Sequence, residues 1–248
     1  MTRTGAWIQR GVAGILLAMV LPADQATLAS QANPDSSDLY YLVFLRPNPA
    51  RTNISKAEGD RIQAAHMANI HKMADDGVLV AAGPFEGPPA TITGLFVLKT
   101  SSIERAREIA TLDPTVAEHR NTVDVHEWRA PKGIGDEYFR LHKEDPGMPD
   151  NMQSHPFCLL YRSTAALGTR DRGGEGRTHG EYIERLRAEK KLGAAGNVNE
   201  EELIGVLIFK ALPAEEAEAL VRMDPAIRSG ALRFEMYRWW SADHVLPW

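Results

Sequence analysis

The chain has 248 residues, an apolar and charged content ordinary for a soluble globular protein, and a formal net charge of −5. That length holds one large domain or two of common size, and the acidic balance argues against a nucleic-acid partner, whose phosphates call for a basic face. The lone Cys158 excludes an internal disulfide and any cysteine-based metal cluster, and suits a small apolar residue in a strand.

The N-terminus reads as a secretory signal over residues 1–29. Arg3 and Arg10 supply a positive region, and Gly11 to Ala23 is apolar but shorter than the roughly 20 residues of a spanning helix. Small residues at Thr27 and Ala29, or at Ser30 and Ala32, suit a signal peptidase. Cleavage after Ala29 is preferred, with Ala32 as the alternative. The expectation is a periplasmic or secreted protein with no membrane contact after processing. Residues 30–38 follow as a polar, turn-rich flexible leader.

From there the chain alternates strand and helix signals. Tyr40 to Arg46 is a continuous apolar run, a buried strand that Pro47 and Pro49 end. Lys56 to Asp76 is a helix, capped by Ser55 with Glu58 at capping-box spacing and stopped by Gly77. Val78 to Ala82 and Gly94 to Lys99 are strands. Ser101 or Ser102 opens a helix that runs through Leu112, and Asn121 to Arg129 alternates as a half-buried strand. Residues 130–155, rich in Gly, Pro and charge, read as a linker with one helical turn near Tyr138 to His142. The pattern then repeats. Phe157 to Arg162 is a strand, His179 to Glu189 a helix, and Leu192 to Gly196 and Gly205 to Lys210 are strands. Pro213 to Met223 is a helix and Leu232 to Trp240 the last strand.

The repeat is regular. His66 and Gly83 recur as His179 and Gly196, an offset of 113. Asp113-Pro114 and Trp128 recur as Asp224-Pro225 and Trp239, an offset of 111. Such a period sets the architecture. Each copy has the order β-α-β-β-α-β, a ferredoxin-like unit. Helices cover one face of such a sheet and the other must be buried. The fold class expected is therefore α+β, with domains at 39–129 and 156–248 packed face to face as an intramolecular pseudo-dimeric α/β barrel. Assembly into a further homo-oligomer is left open. Strand alternation places Val123, Val125, Phe234 and Met236 under the helices. It turns Asp124, His126, Trp128 and Glu235, Tyr237, Trp239 toward the barrel interior or its mouth. A polar, aromatic interior reads as a ligand pocket, although both tryptophans also fit as barrel filler.

These residues resemble the YCII-related family, a branch of the dimeric α/β-barrel proteins. What carries the resemblance is a helix histidine, a glycine near the second strand, an Ala-Gly turn, and Asp-Pro after the second helix. Here those are His66, Gly77, Ala82-Gly83 and Asp113-Pro114, then His179, Ala195-Gly196 and Asp224-Pro225. Tyr182 fits the family's histidine-to-tyrosine spacing, where the first copy has Asn69. The second copy has Lys190 in place of Gly77, and the first has His119 in place of Gly230. The resemblance implies a His/Asp active site, with a few relatives that look like lactone dehalogenases or isomerases.

The chemistry is argued separately. Histidine titrates near neutral pH, and a carboxylate on its ring fixes the tautomer and raises its basicity. His66, Asp113, His179 and Asp224 are the candidate catalytic residues. Each aspartate equally suits an N-cap with Pro at N1, and each histidine a buried helix residue bonded to backbone. His126, Trp128, Tyr182, Tyr237 and Trp239 are the candidate substrate-binding residues. No metal site or cofactor is expected. His66 and His71 are about 140° apart on a helix, and Gly173-Gly174-Glu175-Gly176 lacks a P-loop's Lys-Ser/Thr and reads as a loop. The primary expectation is a cofactor-independent lyase, isomerase or dehalogenase acting on a small carbonyl or lactone compound. The alternative is a non-catalytic exported barrel that binds a small ligand.

Overall fold

A computed structural model describes residues 37–87, 91–163 and 175–248. The segment expected to be a signal, most of the expected leader and the glycines at 173 and 174 lie outside the described residues.

The first copy starts with β1 (Ser37–Pro47), whose apolar run is buried through its centre. Helix α1 (Lys56–Asp75) follows, with the Ser55 side chain accepting from the Glu58 amide at 3.2 Å. Gly77 then turns left-handed at φ +70°. Next come β2 (Leu79–Glu86), β3 (Gly94–Leu98) and α2 (Ile103–Thr111), the last capped by Ser102. The short α3 (Pro114–Ala117) is capped by Asp113, and β4 (Asn121–Pro131) closes the copy.

The connection to the second copy carries a nine-residue helix, α4 (Asp136–Glu144), longer than the single turn expected. The second copy runs through β5 (Gln153–Arg162), α5 (Glu175–Ala188), β6 (Leu192–Val198), β7 (Leu203–Phe209), α6 (Ala214–Arg222), α7 (Pro225–Arg228) and β8 (Leu232–Ser241). Helix α5 starts four residues before His179, so Glu175 and Gly176, expected in a loop, belong to it.

The eight strands form one closed barrel in the order β1-β3-β2-β8-β5-β7-β6-β4. Every pairing is antiparallel, so β1 and β5 run the same way and the pseudo-two-fold lies along the barrel axis. Closure leaves no sheet edge. The two seams between the copies are short: Phe85 and Glu86 face Trp239 and Arg238, and Trp128 and Arg129 face Val198 and Asn197. Glycine is required there. A Cβ on Gly83 would stand 1.7 Å from the Trp240 carbonyl oxygen, and one on Gly196 2.1 Å from that of Arg129.

Strand alternation sorts the core as expected. Tyr40, Phe44, Trp128, Phe157, Tyr237 and Trp239 fill the interior. Val123 and Val125 pack under α1 and α2 beside Tyr41 and Phe96, and Phe234 and Met236 pack under the helices of the second copy beside Cys158. At the end where β4 and β8 finish, Ile134 and Val245 close the floor, joined by a Gly135 amide to Val245 carbonyl bond of 2.8 Å.

Candidate functional site

The helix-side histidine of each copy meets the aspartate after that copy's second helix. Helix α1 runs down the outer face of the first sheet, and His66 sits near its middle, its ring 5.8 Å from that of Phe96 on β3. Its Nδ1–H donates to Asp113 at 2.8 and 3.0 Å from the two carboxylate oxygens. Asp113 is also the N-cap of α3, accepting from the Thr115 amide at 2.9 Å and the Thr115 hydroxyl at 2.6 Å. Asn69 Nδ2, one turn along from His66, donates at 3.0 Å. Capping and histidine pairing, weighed above as alternatives, are thus roles of one carboxylate.

Asp113 is fully buried. Burial pushes its pKa up, but the bonds from His66, Thr115 and Asn69 outweigh that and hold it below the usual carboxylate range. An ionised Asp113 keeps the His66 proton on Nδ1 and leaves Nε2 with a lone pair.

The second dyad has the same frame with fewer supports. His179 Nδ1 lies 2.6 Å from Asp224, which caps α7 through the Ala226 amide at 2.9 Å. Ala226 stands where the first copy has Thr115, and it has no hydroxyl to offer Asp224. Tyr182 stands where the first copy has Asn69, and its hydroxyl donates to the Leu220 carbonyl at 2.7 Å. Tyr182 is therefore a buried helix-to-helix tie, not a partner of Asp224.

A cavity of about 470 Å³ opens beside the first dyad, lined by α1, by the strands β2 and β3, and by Val80, Leu95 and Val245 of the interior cluster. His66 and Thr115 line one part of it. Ile70, Ala74, Leu79 and Phe96 make an apolar wall, and the half-exposed Met67 and Met152 stand at its rim. Tyr138 and Phe139 of α4 and Asp150 beyond it line another part. A pocket of this size, mostly apolar with a few polar groups, suits a small molecule.

The interior residues behave differently from the sequence expectation. Trp128 and Trp239 are fully buried filler, with Trp239 edge-on to Phe157 at 6.2 Å and Trp128 tilted against Tyr40 at 6.2 Å. Tyr237 donates to Glu235 at 2.9 Å and pairs with Thr91 at 3.2 Å. His126 lies between Glu200, 2.6 Å from Nδ1, and Asp124, 3.4 Å from Nε2. Burial lowers its pKa, but the two carboxylates more than offset that and raise it. None of these four side chains lines the cleft beside His66.

Thr115, Tyr138 and Phe139 are not singled out by the sequence reading. For Thr115 a signal exists: it is the hydroxyl residue two after a capping aspartate. For the aromatic pair on α4 no local signal exists, since only the tertiary path brings them to the cleft wall. Among the described residues no group of three or more His, Cys, Asp or Glu is arranged to hold a metal ion, and no helix is long and apolar enough to cross a membrane.

Comparison with known proteins agrees with this architecture. The profile of the YCII-related domain matches residues 39–129 and again 157–240. A chlorite dismutase variant from Candidatus Nitrospira defluvii superposes with a TM-score of 0.54 at 10% identity, covering 84% of this chain and 92% of that one. A heme-binding protein from Thermus thermophilus gives 0.49 at 13% identity, with 84% and 92% covered. At 10% identity the likeness to the chlorite dismutase is one of fold alone. No curated protein matches the chain.

Proposed function

This chain belongs to the YCII-related domain family, with the domain present twice, and on that basis we propose that the first copy is a cofactor-independent acid–base active site. The observation that carries the reading is the His66–Asp113 pair beside the cleft. Asp113 is saturated by four donors and fixes the imidazole, and Nε2 is the polar atom His66 has left for a ligand.

The chemistry follows from that arrangement. A carbonyl or lactone compound in the cleft presents the acidic hydrogen on the carbon next to its C=O. Nε2 takes that proton, and the electron pair moves into the C=C–O⁻ of an enolate. Asp113 stabilises the imidazolium that results, as a carboxylate at Nδ1 does. Where the compound carries a C=C in conjugation with the enolate, return of the proton to the γ-carbon gives an isomerase. Expulsion of a leaving group from the β-carbon gives a lyase or dehalogenase. The apolar wall excludes water, which strengthens both charges' interactions.

The test needs no prior substrate. A panel of five-membered lactones and 2-oxo compounds is incubated in D2O, and loss of the α-hydrogen is followed by proton NMR. Exchange above buffer is expected for wild type and for His179→Gln, and not for His66→Gln. Exchange that persists in His66→Gln overturns the proposal. Binding without exchange across the panel favours the non-catalytic ligand-binding barrel.

The location is also proposed. The charge and apolar pattern of residues 1–29 supports export before the protein acts. Mass determination of the exported chain tests it, with a new N-terminus at Ser30 or Asn33 as the expected result.

A further inference from the structure

The connection between the copies is longer than its task. Residues 132–152 join the end of β4 to the start of β5, and both points lie at the same end of the barrel. At about 3.3 Å per extended residue a few residues would cross that floor, and long connections in compact domains tend to be functional. Ile134 already completes the floor. Past Ile134, α4 with the turn to Asp150 brings Tyr138, Phe139 and Asp150 to the wall of the cleft. After β8 the chain takes a different course, and the Trp248 ring lies 4.8 Å from the Arg187 guanidinium.

The three side chains have a shared chemistry. The Tyr138 and Phe139 rings are perpendicular, at 86° with centroids 5.3 Å apart. Asp150 accepts from the Tyr138 hydroxyl at 2.7 Å through Oδ1. His142 Nε2 is buried 3.3 Å from that same oxygen, out of line for a hydrogen bond, while its Nδ1–H is engaged by the Tyr138 carbonyl at 3.0 Å. Oδ2 of Asp150 has no hydrogen-bond partner among the described residues. Two aromatic rings set at right angles beside a half-exposed carboxylate form a surface for an organic cation. The ring quadrupoles and the carboxylate attract the same charge, and the methyl or methylene groups around nitrogen pack on the rings.

We propose that Tyr138, Phe139 and Asp150 form an organic-cation subsite of the cleft, so that its ligand carries a protonated or quaternary amine. The proposal rests on the cleft being the ligand site. It adds that the ligand is an amphiphile, with its amine at α4 and its reacting carbonyl at His66.

Choline and its uncharged carbon isostere, 3,3-dimethylbutan-1-ol, separate charge from shape. Each is titrated into the full chain labelled with 13C at the methionine methyls, at constant ionic strength. Met152, on the cleft rim, is the reporter, and Met223, exposed on the second copy, is the control. The expected result is a saturable Met152 shift with choline and at least tenfold weaker binding of the isostere. Asp150→Asn keeps an acceptor for Tyr138 and removes the charge, so it is expected to weaken choline at least tenfold with the same melting temperature. Phe139→Leu is expected to weaken it severalfold. His66→Gln is expected to bind choline as wild type does. Equal binding of the two probes, no Met152 response to choline, or undiminished choline binding by Asp150→Asn overturns the subsite. Because His66→Gln is read by α-hydrogen exchange and Asp150→Asn by choline affinity, failure of the chemistry and failure of the subsite give different results.

Discussion

The Thr115 hydroxyl donates to Asp113 at 2.6 Å, and the second copy has Ala226 in the same place. The two copies therefore share a cap and a histidine partner but not this hydroxyl donor. Thr115→Ala is expected to cost about 1 kcal/mol, the net worth of a buried hydrogen bond. Urea unfolding at pH 7 measures it. The acid limb follows in sign. Asp113 titrates below its unfolded value, so its contribution is present above that value, near pH 4, and is lost as pH falls through the folded value. Thr115→Ala raises the folded value, so acid unfolding of the variant should begin at a higher pH.

Asp113→Asn is more severe. It removes the charge and sets an amide NH₂ among four donors, at an expected cost of about 2–4 kcal/mol. Asp224→Asn disturbs two donors and should cost less. Unfolding of the two variants side by side gives the difference. Nitrogen-15 shifts of the His66 ring should show the Nδ1–H tautomer in wild type and a mixture in Asp113→Asn.

His126 links the copies by electrostatics, since Asp124 is its neighbour on β4 and Glu200 lies in the β6–β7 turn. Its pKa is raised in the folded protein, so the stability it adds is complete below the unfolded value near 6.5 and is lost as pH rises through the folded value. Glu200 and Asp124 are 39% and 43% exposed at the side chain, and solvent screening limits the link to about 1 kcal/mol. Melting temperature should fall by about 2–4 °C between pH 6 and pH 8 on this account. In His126→Gln that component of the slope should vanish.

His119 and Lys190 take the left-handed backbone at φ +55° and +57°, where the other copy has Gly230 and Gly77. Each copy thus carries one strained turn that its twin relieves. His119→Gly and Lys190→Gly should each stabilise by about 0.5–1 kcal/mol, the left-handed penalty less the added freedom of glycine in the unfolded chain. A rise in the urea midpoint for both singles, additive in the double, is the expected measurement.

Gly83→Ala tests the seam. The added carbon meets the Trp240 backbone, which cannot move without opening the β2–β8 pairing. A loss of about 3 kcal/mol or more is expected, and Gly196→Ala should match it against Arg129. Gly59→Ala, whose added carbon would reach only the Ile54 methyl at 3.8 Å, is the control expected to be neutral or better.

The barrel and both dyads are legible in the sequence because they rest on local or periodic signals. Val123 and Val125 alternate with Asp124 and His126, and that parity alone sorts the two faces of β4. His66 and Asp113 recur at His179 and Asp224, and repetition marks both. The position of the cleft is not legible. Inward tryptophans suggest a pocket inside the barrel, but volume decides otherwise: the rings of Trp128, Trp239, Phe44 and Phe157 fill that interior. Part of the cleft wall is Tyr138 and Phe139, whose position is set by how residues 132–152 cross the floor. No spacing within a nine-residue helix encodes that path. In the sequence Asn69 is visible only as a missing tyrosine, and its bond to Asp113 needs the tertiary structure.

The seams also govern how the chain acquires its shape during synthesis. When residues up to Pro131 have emerged, β2 and β4 stand as unpaired edges, and their partners are complete only at Ser241 and Val198. At the ribosome's roughly 5–20 residues per second the interval lasts several seconds, during which a neighbouring nascent chain offers the same missing strands. Expression of residues 30–248, without the segment proposed as an export signal, at high ribosome density should therefore yield strand-swapped dimers whose yield falls when initiation is slowed.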